Sequence, residues 1–468
     1  VRLPLLPTVF AALATGALSS SALADPAAQA PQPAPAVAHR APSTSSTRST
    51  ASAPSAELNL RQLGAIGDNQ PHPGREWIAQ KKYKNLRDIQ RDYPFVTSLD
   101  WSIDETIFQR ALRDLPPEGG TIRIPAGRYV ATAYGWRIGR NHVRLSGASM
   151  RDTMLSTGPK LDTGLVLAAA PAKPEHGNSS PGYPLAPDTS AAGADRLRLR
   201  DPARIADFKA DALVFIAGGL TGPERDRGEL NEVAATTPSG ELVLAHPIAC
   251  DGARAVLRVE GATRGFSASG LRIYGRLNAL DLSNSYESTF ADCDFVRQPA
   301  AAAPEGLTLD ACRGRFAEFR RCSFRTQQPA PTRIARSFGD IAFTDCTFVG
   351  TAIAVHDFSF GAVLTGCDLQ TPSPLGASFR FDRAVGDLRI ENCRIVVTGG
   401  TLSVFEATDA GLPLPDVRPA RLILRNNRIA GPGTLRPTIF RIGSLPATDI
   451  SGNTLNNAPV EPLRQTSP

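Results

Sequence analysis

The sequence predicts an all-β protein wound as a single-stranded, right-handed parallel β-helix (a solenoid) with an N-terminal capping helix. Three observations carry that expectation. A short apolar-and-turn unit recurs eight times between residues 265 and 458. Its steps of 21 to 34 residues leave no room for a crossover helix, so each step has the length of one solenoid coil. A single amphipathic helix, opened by a capping box, stands just before the first strands and suits the open end of a strand stack.

Residues 1–24 read as a signal peptide. Arg2 supplies a basic start, residues 3–18 are apolar, and Ala22-Leu23-Ala24 is a small-residue cleavage site. Pro4, Pro7 and Gly16 break the apolar run, which is too short for a membrane span. No later run approaches that length, so the expected location is secreted or periplasmic, with no membrane partner after cleavage. Residues 25–56, rich in Ala, Pro and Ser, offer nothing periodic to bury and read as a flexible linker.

Residues 57–150 form the cap and first coils. Leu63-Gly64-Ala65-Ile66-Gly67-Asp68 is a short strand and turn, followed by a polar insertion to residue 99. Ser102-Ile103-Asp104-Glu105 then opens a helix whose apolar face is Ile103, Ile107, Phe108, Ala111, Leu112 and Leu115, ended by Pro116-Pro117. Gly119 to Tyr129 is a strand closed by a Pro/Gly turn, and Val143-Arg144-Leu145-Ser146-Gly147 is another. Over 151–264 the pattern weakens. Residues 170–196 form a Pro/Gly/Ser-rich loop insertion, and the strands at 211–216, 230–234 and 242–244 fit irregular coils or a small inserted subdomain.

The regular repeats fill 265–458, before a tail at 459–468. Each unit is an apolar residue, two variable residues, a small or amide residue, one variable residue and a second apolar residue. It appears as Phe266…Ser269-Gly270-Leu271, Phe290…Cys293-Asp294-Phe295, Phe319…Cys322-Ser323-Phe324 and Phe343…Cys346-Thr347-Phe348. It continues as Leu364…Cys367-Asp368-Leu369, Ile390…Cys393-Arg394-Ile395, Leu424…Asn427-Arg428-Ile429 and Ile450…Asn453-Thr454-Leu455. In a parallel β-helix equivalent positions stack at about 4.8 Å, so the Cys and Asn residues form a ladder of small inward side chains. The cysteines read as core fillers rather than disulfide partners. Cys250 and Cys312 lie off the ladder.

The stretch 63–147 resembles the N-terminal cap and first coils of the pectate-lyase superfamily, the β-helix group of pectate-lyase-like and polygalacturonase-like proteins. The matching residues are Gly64-Ala65-Ile66-Gly67-Asp68, the helix Thr106-Ile107-Phe108-Gln109-Arg110-Ala111-Leu112, and Gly119-Gly120-Thr121-Ile122-Arg123-Ile124-Pro125-Ala126-Gly127-Arg128-Tyr129 with Leu145-Ser146-Gly147. The resemblance implies a parallel β-helix acting on, or binding, a polysaccharide. It specifies the fold and not the activity. The chain lacks the paired-aspartate, glycine-histidine-glycine and arginine-isoleucine-lysine motifs of polygalacturonases, and the arginine-rich signature of calcium-dependent pectate lyases.

In similar β-helix enzymes the strand before the ladder lines the groove. Here those strands contain Leu280-Asp281-Leu282, Leu307-Thr308-Leu309, Ile334, Ile353-Ala354-Val355 and Phe379-Arg380-Phe381. Alternation turns Asp281, Thr308, Ala354 and Arg380 toward solvent, and Asp310, Arg336, His356-Asp357 and Asp382-Arg383 follow just beyond. The candidate catalytic residues are Asp310, Arg336, His356 and Asp382, and the candidate substrate-binding residues are Asp281, Asp357, Arg380 and Arg383. Acid, arginine and histidine in one stripe suit an acidic, uronate-containing glycan: a base, a proton donor and cations for a carboxylate. Asp310 and Asp382 stand three rungs apart, too far for paired-carboxylate hydrolysis, which favours elimination or epimerisation. Hydrolysis and binding without catalysis stay open, as does a solvated edge of cross-rung ion pairs. A second stripe of Asp292, Arg321 and Asp345 reads as structural pairing.

Zinc, phosphate-loop and nucleophile-elbow motifs are absent. No cofactor is required, and surface carboxylates leave room for a calcium ion. The formal charge of +6 comes mainly from arginine, with no dense basic run and no interleaved aromatics, which argues against a nucleic-acid partner.

Overall fold

The computed structural model describes residues 56–167, 182–186, 193–218, 228–249, 255–258, 262–298, 307–335, 338–356, 359–372, 377–382, 387–398, 403–408, 421–431, 438–442 and 447–459. The expected signal peptide, the expected linker up to residue 55, residues 299–306, Cys250, Arg336, Asp357 and Arg383 lie outside them.

The chain winds as a right-handed parallel β-helix with three faces. The first face is a 12-stranded parallel sheet running from Glu57–Asn59 through Ser285–Ala291 to Ala447–Ser451. Each of its later strands ends at the ladder corner and continues into the second face, as in Asp294–Arg297 and Asp368–Pro372. A third face follows, with Asn278–Asp281, Leu307–Cys312 and Ala377–Asp382, before a turn returns the chain to the first. Two long strands, Ser323–Ala335 and Thr347–His356, run across the second and third faces without a break.

Packing inside the coils is a direct consequence of this register. Phe290, Phe319 and Phe343 stack with centroids 4.7 and 5.0 Å apart. Phe295, Phe324 and Phe348 form a second stack at 5.1 and 4.9 Å. Equivalent side chains thus meet at the interstrand spacing and stay offset from the other stack in edge-to-face contacts.

The ladder exists, with one shift at its start. Ala268, not Phe266, is the strand partner of Phe290, and Asp294 N donates to Leu271 O, so Leu271 occupies the rung expected for Ser269. From Cys293 onward the rungs are as expected, and all five ladder cysteines are buried free thiols. At the C-terminal end Asn427 Nδ2 donates to Asn453 Oδ1 at 2.9 Å, and Asn453 Nδ2 to Leu424 O. The residue before each rung is left-handed: Gly270, Asp292, Arg321, Asp345, Gly366, Asn392, Asn426 and Gly452 have φ between 49° and 66°. That conformation selects Gly, Asn and Asp. Arg321 departs from the rule and donates two bonds to Asp292, at 2.8 and 2.7 Å. The structural reading of the second stripe therefore holds for this pair.

The neighbouring thiol and burial push Cys346 and Cys367 up to about 12. Thiolate is then negligible near pH 8. We expect a thiol reagent at pH 8 to leave the five ladder cysteines unmodified in the native protein and to label them after denaturation. Rapid labelling of the native ladder, followed by mass mapping, would contradict this packing.

At the N-terminal end the helix Ile103–Asp114 has the expected capping box. Its apolar side joins the main core, with Phe108 edge-on to Trp136 at 5.2 Å. Glu105 does more than cap: its carboxylate accepts bonds from the backbone N–H groups of Thr132, Ala133, Tyr134 and Gly135, fixing the first coil to the helix. The insertion expected to be polar holds two short helices, Arg75–Ala79 and Leu86–Asp92, around an aromatic cluster. Trp77 stacks on Tyr93 at 5.3 Å and Trp101 on Tyr134 at 5.2 Å. These rings sit singly among charged residues in sequence, so no period announces them.

His72 clamps this cap, with Nε2 at 2.9 Å from Asp68 and Nδ1 at 2.7 Å from Glu76. The His72 bond holds the Asp68 carboxyl below its usual range. Burial opposes protonation of His72, but its bonds to Asp68 and Glu76 outweigh burial and raise it above its ordinary 6.5. A raised histidine stabilises at pH below its unfolded value, and that contribution is lost as pH rises through the folded value. We expect thermal stability to fall above pH 6.5 more steeply in the wild type than in His72→Ala. Parallel pH profiles would remove the clamp's role.

The region 182–258 is not a set of irregular coils. It is a six-stranded antiparallel sheet with spatial order Gly182–Pro184, Ala255–Arg258, Leu213–Ala217, Gly228–Thr236, Glu241–Leu244, Arg196–Arg198. Its ends meet: Leu185 bridges Leu199, Ala186 N donates to Arg198 O and Arg200 N to Pro184 O, both at 2.9 Å. The sheet is therefore a closed small barrel, which removes its edge strands. Its core holds Tyr183, Leu197, Val214, Ile216, Val233, Leu242 and Val256. Among the described residues no helix is long and apolar enough to cross a membrane.

Candidate functional site

Strand register on the third face decides which charged residues are neighbours. Asp281 is the strand partner of Asp310, Asp310 of Arg333, Arg333 of Ala354, and Ala354 of Arg380. The column continues by backbone register through Glu406 to Arg441. His356 and its partner Asp382 lie two residues along, nearer the turn. The outward stripe thus passes from Arg137 and Val166 to two acids on adjacent rungs, followed by an arginine.

Arg333 donates to both Asp310 oxygens, Nε to Oδ1 at 3.1 Å and Nη2 to Oδ2 at 2.7 Å. The Cys312 thiol donates to Asp310 Oδ1 at 3.1 Å, and burial together with Asp310 pushes that thiol's pKa up, so it keeps its proton. Asp281 accepts from Ser283 N at 2.8 Å. Burial pushes the Asp281 carboxyl up, and the charge of Asp310 adds to the effect. One carboxyl is thereby held toward the protonated form beside another gripped by a guanidinium. Divergent carboxyl environments of this kind separate acid from base roles.

Several expected positions change. Asp310, expected just past its strand, lies within Leu307–Cys312 and is 9% exposed. Asp281, expected on the solvent face, is half-buried. Thr308, expected outward, is buried in a hydroxyl ladder with Thr332 at 2.6 Å, and Thr332 lies 3.2 Å from Thr351. Arg333 is the partner of Asp310, while the expected Arg336 lies outside the described residues. The partnered register of Ser323–Ala335 skips from Arg325 to Ala330, and alternation there turns Ile334 inward and Arg333 outward. Arg380 is exposed, as expected, and His356 is half-buried. Asp382 is placed by its strand position alone. Asp310 and His356 do not converge: they stand two rungs apart on different columns.

The barrel borders this site. Phe215 on its outer side lies under Arg313, whose Cζ is 6.0 Å from the ring centroid, one residue beyond Cys312. Phe215, Ala217 and Leu230 pack there with Tyr286 and Phe316 of the first face. Among the described residues no group of three or more His, Cys, Asp or Glu side chains is placed to hold a metal ion.

No protein-family model matches the sequence, and no curated protein matches it either. Solved structures resemble its fold. Tailspike gp61 of Pseudomonas phage phi297 has 15% identity, with 86% of this chain and 76% of that chain covered and a TM-score of 0.44. The mannuronan C-5 epimerase AlgE4 A-module of Azotobacter vinelandii has 12% identity, coverage of 86% and 97%, and a TM-score of 0.35. The alginate lyase of Paenibacillus sp. str. FPU-7 has 9% identity, coverage of 75% and 93%, and a TM-score of 0.35. These are likenesses of a parallel β-helix, and the site chemistry of this chain rests on its own residues.

Proposed function

We propose that this protein is an exported carbohydrate-active enzyme that cleaves an acidic polysaccharide laid along the third face, by hydrolysis at Asp281 and Asp310. The observation that carries the reading is the register pairing of those two residues on adjacent rungs. Adjacent strands stand about 4.8 Å apart, near the roughly 5 Å carboxyl separation of retaining glycosidases. Asp281 donates its proton to the glycosidic oxygen as that bond breaks, and Asp310 attacks the anomeric carbon to form a glycosyl ester. Water then cleaves the ester, giving its proton to Asp281. Arg333 orients Asp310, and Arg333 and Arg380, with small Ala354 between them, favour a carboxylate-bearing substrate.

The half-buried His356, opposite Asp382 and one rung from Arg380, favours elimination as a second reading, with His356 taking the proton beside a neutralised uronate. One assay separates the two. The mature protein is incubated with pectate, alginate and glycosaminoglycan panels, following new reducing ends and the absorbance of new double bonds. Reducing ends without unsaturation support hydrolysis, unsaturation supports elimination, and silence on every acidic glycan overturns both.

A further inference from the structure

The barrel strand Arg196–Arg198 and the two residues after it read Arg-Leu-Arg-Leu-Arg. Leu197 and Leu199 are 0% and 2% exposed in the barrel core, while Arg196, Arg198 and Arg200 are exposed. Alternation therefore sets three guanidinium groups in one outward row, at intervals of about 6.7 Å, two strand residues each.

The place of this row in the barrel gives it meaning. Going round the barrel either way, through 228–236 and 241–244 or through 255–258 and 182–184, the row is three strands from Leu213–Ala217. It is thus back to back with the strand whose Phe215 and Ala217 meet the coils. Charge is segregated the same way. Glu229 and Glu232 face the coil arginines Arg315 and Arg264, at 3.1 and 2.8 Å. The far side carries Arg196, Arg198 and Arg200, with exposed Asp195 at the start of the row. The flanking strand Gly182–Pro184 carries no charge, and on the other flank Glu241 touches Arg196 at 3.5 Å. That exposed pair is worth little and is readily exchanged for a ligand anion. Exposed Lys209 adds a cation beyond the row, while Arg204 is paired with Asp207 and Asp201 caps the turn at Ala203 N.

We propose that the inserted barrel is an accessory binding module for an anionic polysaccharide, holding its carboxylate or sulfate groups on Arg196, Arg198 and Arg200 while its opposite side anchors it to the coils. Guanidinium forks match such groups in planar, bidentate fashion. A single sparse row without aromatic stacking residues suits a glycan better than a nucleic acid. The proposal takes its polymer class from the reading of the groove, and its test is independent of turnover.

The test uses the full mature chain in affinity electrophoresis through gels containing polygalacturonate or alginate, with neutral dextran as control. The Arg196→Ser/Arg198→Ser/Arg200→Ser variant is compared with wild type and with Arg144→Ser, an exposed arginine of the first face. The triple variant is expected to lose about tenfold or more in polyanion affinity, with a flatter salt dependence and an unchanged melting temperature. Arg144→Ser is expected to bind as wild type. If no glycan is cleaved, the groove reading fails, while retardation lost only in the triple variant still upholds the module. Wild-type retardation of the triple variant would overturn the proposal. So would equally tight binding of duplex DNA that is lost in the same variant.

Discussion

Asp281→Asn is expected to lower turnover by about 10²–10⁴-fold, the range for loss of a general acid, without lowering stability. Its carboxyl is held toward the neutral form by burial and by the charge of Asp310. An acid with a raised folded pKa stabilises less as pH rises through that value, so the neutral amide removes a cost at pH 7. Asp310→Ala should lose turnover at least as strongly and in addition destabilise. It leaves the Arg333 guanidinium, 35% exposed, and the Cys312 thiol without their acceptor, a loss on the order of 1–3 kcal/mol. The two variants therefore separate chemistry from architecture. Reducing-end assays paired with melting curves make the comparison. Full activity in Asp281→Asn would return the carboxylate pair to a purely structural role and leave His356 as the remaining centre.

Glu229→Ala should be the most destabilising single change at the barrel's docking face. Glu229 and Arg315 are 1% and 6% exposed, and the same carboxylate accepts from Ala249 N at 2.6 Å and Asn231 Nδ2 at 3.2 Å. Removing one partner of a buried pair costs about 3–5 kcal/mol because the other charge stays desolvated. Arg315 keeps Asp340, at 2.7 Å, which places the expected loss at about 3 kcal/mol. The neighbouring backbone is already strained: Phe316 has φ 59° and Glu287 57°, conformations bulky residues adopt at a cost. Loss should thus appear first in the barrel, as faster hydrogen exchange over 228–236 and an early denaturant transition. Exchange unchanged from wild type would show that apolar contact alone holds the barrel.

The coils were legible because their constraints are local and repeated. Apart from Leu271 and Arg321, the inward rungs take a small or amide residue and the left-handed corners Gly, Asn or Asp, so both imprint a short unit that recurs. The helix Ile103–Asp114 was legible for a similar reason, since capping box and apolar face lie within a dozen neighbouring residues. The barrel was not. Leu213–Ala217, Gly228–Thr236 and Glu241–Leu244 pair in chain order, but Arg196–Arg198 and Ala255–Arg258 join them from a distance in sequence, and closure at Leu185 and Leu199 joins segments that carry no shared signal.

For the candidate site the division is finer. The sequence by itself determined that acid, arginine and histidine would share one face of a solenoid, because alternation and coil length follow from local chemistry. Which of them touch was decided by tertiary structure alone. Coils of unequal length and the shift in register within Ser323–Ala335 set the rung of each side chain, bringing Arg333 to one side of Asp310 and Asp281 to the other. A difference of one residue in a coil exchanges inward for outward, and only the strand partner across the rung fixes that choice.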